Sequence, residues 1–163
     1  MAKNKEEKTN VMRVLEQKKI AYTAHTYPHE EGVAVDGVTV AQSMGFDPAA
    51  VFKTLVARGA SKQYYVFDVP VAENLDLKKA AKAVGEKSIE MLHQKELLPL
   101  TGYVHGGCSP VGMKKLFPTV IDASAENLET MIVSAGKIGY QVELSPHDLA
   151  ALVRAKFADL IAE

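Results

Sequence analysis

A glycine-rich segment in the second half of the chain has the residue types of a loop that presents its backbone to a ligand. Four glycines and one proline fall between Gly102 and Gly112. Glycine lets a ligand approach the backbone closely and permits positive φ. The Ser109-Pro110 step, followed by another glycine, interrupts both helices and strands. The segment therefore predicts a loop whose main-chain N–H groups face a ligand, with a tight structural corner between strands as the alternative.

A lysine lies in the middle of a predicted strand, where charged residues are uncommon. Residues 51–57 are mostly apolar and β-branched, which favours a strand. Alternation places Lys53 on the same face as Val51 and Leu55. Because lysine is rarely buried without a partner, Lys53 either extends its ammonium group out of an apolar face or points into a polar cleft. The alternative is an edge-strand lysine that discourages aggregation.

Five short segments together resemble the YbaK/EbsC family of aminoacyl-tRNA deacylases, which are relatives of the editing insertion of bacterial prolyl-tRNA synthetases. In chain order they are His25-Thr26-Tyr27, Phe52-Lys53-Thr54-Leu55 and residues 77–82, 102–115 and 133–137. Each segment alone is a weak signal. Their order and spacing, over nearly the whole chain, make the resemblance specific.

The resemblance implies an enzyme that hydrolyses the ester between an amino acid and the terminal ribose of tRNA, with Cys-tRNA(Pro) as the trans-editing substrate. It implies catalytic positions at Lys53, Gly106 and Ser134, and substrate-binding positions at Tyr27, Thr54, Gly107 and Ser109. Fixed N–H groups of Gly106 and Gly107 would stabilise the oxyanion that develops on the ester carbonyl. Lys53 would neutralise a 3′-terminal phosphate or hold the ribose and carbonyl group.

No protein nucleophile with a recognisable base is visible in the sequence. In a cysteinyl ester the thiol of the substrate can itself attack the ester carbonyl. The aminoacyl group then leaves as a cyclic thioester. The enzyme then contributes mainly by positioning the reacting groups.

Two positions depart from the family pattern and leave the pocket shape open. Asp36-Gly37 stands where the family often has a large aromatic residue beside the glycine, and Ala135 stands where a second glycine is common. The Gly-x-His-Pro motif of the alanyl-tRNA branch is absent, which favours the cysteine-type deacylase. The alternatives are a deacylase for another small aminoacyl-tRNA and a non-catalytic module that binds aminoacyl or nucleotide ends. Retention of Lys53 and of the glycine pair favours an enzyme.

Metal and cofactor chemistry have little support in the sequence, and we expect neither. His25 and His29 are separated by Pro28, which prevents a helix that would bring both to one face. The remaining histidines are too scattered for a zinc site. Cys108 is interpreted as a small loop residue and not as a nucleophile. Neither the G-x-G-x-x-G dinucleotide fingerprint nor a phosphate-binding P-loop is present.

Charge and hydropathy limit the classes of partner. The formal net charge is −1, from 19 basic and 20 acidic residues, whereas proteins that grip long nucleic acids are usually basic. We therefore expect contact with one end of a tRNA only and no DNA binding; the resemblance implies prolyl-tRNA synthetase as a recruiting partner. No apolar run approaches the roughly 20 residues of a membrane span. With a polar N-terminus, we expect a cytoplasmic protein without membrane contact.

The elements that must position these residues are predicted from periodicity and capping signals. The predicted helices are 5–19, 39–44, 77–84, one turn at 94–98, and a C-terminal helix that begins at Ser145-Pro146 and has apolar residues through Phe157 and Leu160. The predicted strands are 21–27, 51–58, 63–69, 88–91, 120–121, 131–133 and 140–144. Strict βαβ alternation is absent. We therefore expect one α+β domain over residues 1–163, with a mixed, mostly antiparallel twisted sheet or partly open barrel flanked by helices.

Overall fold

The structure, a computed structural model, describes residues 8–30 and 33–162. Within this part of the chain five helices accompany two sheets. The helices are α1 (Asn10–Gln17), α2 (Gly37–Met44), α3 (Leu77–Val84), α4 (Gln94–Thr101) and α5 (Pro146–Val153). The strands are β1 (Tyr22–Thr26), β2 (Phe52–Gly59), β3 (Tyr64–Pro70), β4 (Ile89–Met91), β5 (Thr119–Asp122), β6 (Met131–Ser134), β7 (Tyr140–Leu144) and β8 (Lys156–Ala158). Short 3₁₀ turns span Pro48–Ala50 and Ala123–Asn127.

The sheets are mixed and mostly antiparallel, as predicted. One sheet has the strand order β4-β2-β3-β5-β8, in which β5 and β8 are parallel to their neighbours. The other has the order β1-β7-β6 and is antiparallel throughout. An isolated bridge between Val51 and Ile132 joins the sheets. The strands between residues 8 and 162, the gap at 31–32 aside, form no closed barrel, which agrees with the expected mixed sheet or partly open barrel.

Alternation along β2 separates two apolar cores. Phe52 and Val56 belong to the larger core, which lies between the two sheets and is closed by α1 and α5. Ala57 belongs to the smaller core on the other face of the five-stranded sheet, where α3 packs. The predicted alternation along this strand is confirmed, and it fixes which side chains of β2 face each core.

Most helix ends lie at the capping residues that the sequence indicates. The Asp76 carboxylate accepts hydrogen bonds from two N–H groups in the first turn of α3, and Gly85 ends that helix with φ 75°. Thr9 caps α1, which runs only from Asn10 to Gln17, so the predicted helix is too long at residues 8–9 and 18–19; predicted residues 5–7 lie outside the described residues. Helix α4 is longer than the single predicted turn and continues through Thr101.

The predicted length of the C-terminal helix is wrong. Helix α5 ends at Val153, and Arg154 adopts φ 57° in the left-handed region. Phe157, expected on the apolar stripe of that helix, lies instead in β8, where it pairs with Ile121 of β5. The open edge of β5 provides backbone partners that a helix would leave unpaired, and the apolar spacing alone does not reveal this competition. Each described helix has eight residues, so none of them could span a membrane.

Candidate active site

A cavity of about 460 Å³ lies where the two sheets approach each other. Its wall is formed by residues 34–37, the first half of β2, the glycine-rich loop and the facing ends of β6 and β7. The lining residues are Tyr27, Ala34, Val35, Asp36, Gly37, Val40, Val51, Phe52, Lys53, Thr54, Leu55, Val71, Leu97, His105, Gly106, Cys108, Ser134, Tyr140 and Gln141. Five of the seven sequence-predicted site residues are among them: Tyr27, Lys53, Thr54, Gly106 and Ser134.

The pairing of β2 explains why the cavity forms here. On one edge β2 pairs with β3 along its length, from Phe52 to Arg58. On the other edge its ladder with β4 begins only at Ala57. Residues 51–55 all line the cavity. Because successive side chains of a strand point to opposite faces, all five can contact one cavity when the cavity lies along the open edge of the strand. The edge of β2 from Phe52 to Leu55 that faces away from β3, and that β4 does not reach, is therefore one side of the site.

Lys53 provides a cation at this open edge. Its side chain is half-buried, and no carboxylate among the described residues forms an ion pair with it. Burial lowers the pKa of Lys53, whereas the negative charges of Asp36 and Glu73 act in the opposite direction. A partly desolvated ammonium group that faces a cavity is suited to bind an anion or a carbonyl oxygen.

Within the glycine-rich loop, Gly106 is the predicted residue that reaches the cavity. It has φ 90°, and a Cβ added there would lie 2.7 Å from Cβ of Ala34, so no side chain fits. The described residues provide no hydrogen-bond acceptor for its backbone N–H. Gly107 and Ser109 do not line the cavity. The Gly107 N–H donates to the carbonyl oxygen of Val104 at 3.0 Å, and Ser109 is fully buried.

The hydroxyl groups of Ser134 and Thr54 are held in different ways. The Ser134 Oγ accepts a hydrogen bond from the Gly136 N–H at 3.0 Å, which leaves the Ser134 hydrogen available to a ligand. The Thr54 Oγ1 donates to Oδ1 of Asp68 at 2.6 Å, which leaves its lone pairs available. Ser134 is therefore placed to donate, and Thr54 to accept.

Two buried polar groups at the site were not predicted from the sequence. Asp68, in β3, is fully buried behind Thr54, and burial raises its pKa to about 7 although the Thr54 bond opposes the shift. Gln141 lines the cavity, and its Oε1 is buried without a hydrogen-bond partner in the described structure. A signal for Asp68 was present, because it is a charged residue within an otherwise apolar strand and faces Thr54 in a hairpin.

Cys108 is part of the cavity wall but is poorly suited to act as a nucleophile. It is 7% exposed, and burial, together with the nearby Asp68, raises its pKa to about 12. The thiolate is the reactive form of cysteine, so this thiol is inert at neutral pH. Outside residues 1–7, 31–32 and 163, no group of three or more His, Cys, Asp and Glu side chains is placed to hold a metal ion.

Comparisons with known proteins agree with this site. A family model described as an aminoacyl-tRNA editing domain matches residues 32–152. A protein of Enterococcus faecalis (strain ATCC 700802 / V583) is 45% identical over 161 residues, which cover 98% of each chain. Its name describes it as a candidate Cys-tRNA(Pro)/Cys-tRNA(Cys) deacylase, EbsC.

Solved structures show the same fold. The crystal structure of a candidate trans-editing enzyme for prolyl-tRNA synthetase is 26% identical, with a TM-score of 0.79 over 94% of this chain and 95% of that chain. A hypothetical protein of known structure is 20% identical, with a TM-score of 0.82 over 93% of this chain and 99% of that chain. This second likeness concerns the fold alone.

Proposed function

The chain belongs to the aminoacyl-tRNA editing domain family, and we propose that it is a trans-editing deacylase that hydrolyses the aminoacyl ester of Cys-tRNA(Pro). The observation that carries this proposal is the half-buried Lys53 at the open edge of β2, facing a cavity shared with Gly106 and the hydroxyl groups of Thr54 and Ser134. The likeness to a candidate Cys-tRNA(Pro)/Cys-tRNA(Cys) deacylase supports it.

The size and charge of the cavity fit the 3′ end of an aminoacyl-tRNA. At about 460 Å³ the cavity lies within the usual range for a small-molecule site. It is large enough for an aminoacyl group with the attached ribose and too small for a folded nucleic acid. Lys53 is the cation that compensates the terminal phosphate or holds the ester carbonyl.

The substrate provides the nucleophile in the proposed reaction. The thiol of the cysteinyl group loses its proton to solvent, and its sulfur forms a bond to the ester carbonyl carbon. The bond between that carbon and the ribose oxygen then breaks, and the ribose oxygen takes up a proton from solvent. A cyclic thioester leaves, and water opens it to free cysteine. The neutral, buried Cys108 is consistent with a protein that supplies no thiolate of its own.

Two donors would stabilise the charge that develops on the carbonyl oxygen. One is the backbone N–H of Gly106, and the other is the Ser134 hydroxyl, whose oxygen is oriented by Gly136. A preorganised donor of this kind contributes roughly 3–4 kcal/mol to transition-state stabilisation. In this proposal Gly106 and Ser134 have the catalytic roles that the resemblance implies, whereas Gly107 and Ser109 would support the loop from behind.

We further propose that prolyl-tRNA synthetase recruits the protein to its substrate in the cytoplasm. The likeness to a candidate trans-editing enzyme for that synthetase supports this partnership. A chain with a net charge of −1 gains little affinity from the phosphates of the tRNA backbone. A partner that already binds the tRNA would therefore bring the enzyme and its substrate together.

A deacylation assay with a panel of charged tRNAs tests the proposed function. The panel contains Cys-tRNA(Pro), Cys-tRNA(Cys), Ala-tRNA(Pro), Ser-tRNA(Pro) and correctly charged Pro-tRNA(Pro). We expect rapid release of cysteine and slow release of the other amino acids. Faster hydrolysis of the alanyl or seryl ester would indicate a deacylase for another small amino acid. Binding without hydrolysis of any ester would indicate a non-catalytic module.

A further inference from the structure

A buried carboxyl group behind the cavity wall has no role in the reaction described above. Asp68 is fully buried, and one of its oxygens, Oδ2, has no hydrogen-bond partner among the described residues. Burial of a carboxyl group is costly unless its oxygens are well paired. Asp122 illustrates the usual arrangement, since it is also buried but its two oxygens accept N–H bonds from Ser124 and Leu160. The arrangement of Asp68 thus favours a role other than stability.

The strand register directs Asp68 at Thr54. The two residues are directly opposite each other on antiparallel β2 and β3. The Val71 N–H donates to the Val51 carbonyl oxygen, and pairs alternate from there, so Thr54 and Asp68 form a non-hydrogen-bonded pair. Side chains of such pairs approach closely, which allows the 2.6 Å bond between the Thr54 hydroxyl and the Asp68 carboxylate.

This bond decides what Thr54 can offer to a ligand. A threonine hydroxyl has one hydrogen and two lone pairs. With the hydrogen held by Asp68, the oxygen can only accept a hydrogen bond from the cavity. The neighbouring wall residues Phe52 and Cys108 are uncharged at neutral pH, and Lys53 belongs to the opposite face of β2. A neutral hydrogen-bond donor such as a thiol can therefore bind at this part of the wall.

We infer that Asp68 is a positioning residue, which fixes the Thr54 hydroxyl as a hydrogen-bond acceptor for the S–H group of the bound cysteinyl ester. The inference rests on the proposed function, because it assigns the substrate thiol a place in that same cavity. By holding the neutral thiol near the wall, the pair sets the position from which the sulfur attacks the ester carbonyl once its proton has passed to solvent.

The positioning should fail when Asp68 is protonated. A proton on Oδ2 would have no acceptor, because that atom is buried without a partner, so a protonated Asp68 should donate through Oδ1 to Thr54. The Thr54 hydrogen then turns toward the cavity. Burial raises the pKa of Asp68 to about 7, so this change falls in the neutral range. The groups that face Asp68 are Thr54 from β2, Ile121 from β5 and Cys108 from the glycine-rich loop. The one titratable member is Cys108, whose pKa of about 12 keeps it neutral throughout this range.

A double-mutant cycle on Cys-tRNA(Pro) tests the inference. The proteins are the unchanged chain, Asp68→Asn, Thr54→Val and the double variant, with Asp122→Asn as the control for loss of a buried carboxylate. At about pH 8 we expect Asp68→Asn to lower kcat/KM about fivefold, and to have no further effect in the Thr54→Val background. Asp122→Asn should lower the unfolding temperature but leave kcat/KM per folded molecule unchanged.

The pH dependence provides the second readout. The ratio of kcat/KM between the unchanged chain and Asp68→Asn should rise from near one at about pH 5.5 to its maximum at about pH 8. Because both proteins act on the same substrate, titration of the substrate thiol cancels in this ratio. A constant ratio, or equal losses from Asp68→Asn in both Thr54 backgrounds, would overturn the inference. Failure of the unchanged chain to hydrolyse Cys-tRNA(Pro) would instead overturn the proposed function.

Discussion

Lys53 is the residue on which the proposed chemistry most depends. It is half-buried at an open strand edge, and the described carboxylates lie too far away to form an ion pair with it. Its removal should therefore leave the cavity without a compensating cation while relieving the cost of partial desolvation. The same placement that weakens its contribution to stability makes it available to the substrate.

We expect Lys53→Ala to lower kcat/KM for Cys-tRNA(Pro) by roughly 100-fold or more, as loss of one preorganised charge contact typically does. Thermal unfolding should be unchanged or shifted slightly upward. Lys156→Ala is the matched control, since Lys156 is an exposed strand lysine in β8, distant in the fold from the cavity lining. Normal turnover by folded Lys53→Ala protein would show that Lys53 only protects a strand edge.

Cys108 tests whether the substrate thiol is the nucleophile. Serine is close to cysteine in volume, so Cys108→Ser should keep kcat/KM within about threefold, at a modest cost in stability from the buried hydroxyl. Seryl-tRNA(Pro) should react much more slowly than cysteinyl-tRNA(Pro), because a hydroxyl is the weaker nucleophile at neutral pH. Rates on both esters are measured for both proteins. Equal rates on the two esters, or loss of turnover in folded Cys108→Ser, would contradict this mechanism.

At the scale of elements, the site depends on the close contact between the glycine-rich loop and residue Ala34. Gly106 has φ 90°, and a Cβ at this position would come within 2.7 Å of the Ala34 Cβ. A side chain there would force the loop away from the cavity wall. The loop can lie this close to Ala34 only because residue 106 has no Cβ.

Gly106→Ala should lower turnover at least tenfold, because the displaced N–H no longer faces the carbonyl oxygen. It should also cost about 1–3 kcal/mol of stability from backbone strain. Gly85→Ala is the matched control: Gly85 has φ 75° at the end of α3, and an added Cβ would meet nothing within 4 Å. The control should lose similar stability but keep its turnover. Unfolding of Gly106→Ala with full activity per folded molecule would identify the loop as a structural corner.

Local signals predicted most of the elements, and tertiary competition accounts for the errors. Helix α3 begins after Asp76 and ends at Gly85, as an N-capping aspartate and a C-capping glycine predict, because capping depends on a few neighbouring atoms. The residues after Val153 pair with β5 instead of continuing α5, and no local pattern reports a free strand edge that is distant in the chain. Asp68 was visible as a charged residue in an apolar strand, but its contact with Thr54 depends on the register of β2 with β3, which no local pattern reports.

The family resemblance located the cavity residues better than composition alone. Composition identified the glycine-rich loop and Lys53 but left structural alternatives open for both. It could not separate Gly106 from Gly107, because only the fold decides which N–H is already bonded to Val104. Lining positions such as Gln141 carried no sequence signal, since a polar residue in a short strand is ordinary.

At the scale of the whole molecule, charge limits how the protein meets its substrate. A net charge of −1 cannot neutralise many phosphates. We expect weak binding of free tRNA(Pro), with a slope of log K against log salt of only about −2, since few phosphates are contacted. Fluorescence anisotropy over a salt series measures this slope. The same titration with prolyl-tRNA synthetase present should show tighter, less salt-sensitive association. Tight binding of tRNA by the isolated protein at physiological salt would contradict recruitment.

The burial of Cys108 has a consequence for the redox behaviour of the protein. Cys108 is the chain's one cysteine, and its pKa of about 12 keeps it in the thiol form. Disulfide exchange and oxidation to sulfenic acid both proceed through the thiolate. An enzyme that binds a cysteinyl substrate next to its own cysteine would otherwise risk a mixed disulfide with substrate or product. With its one cysteine sulfur buried and protonated, this protein should remain free of such adducts when peroxide or oxidised glutathione accumulates.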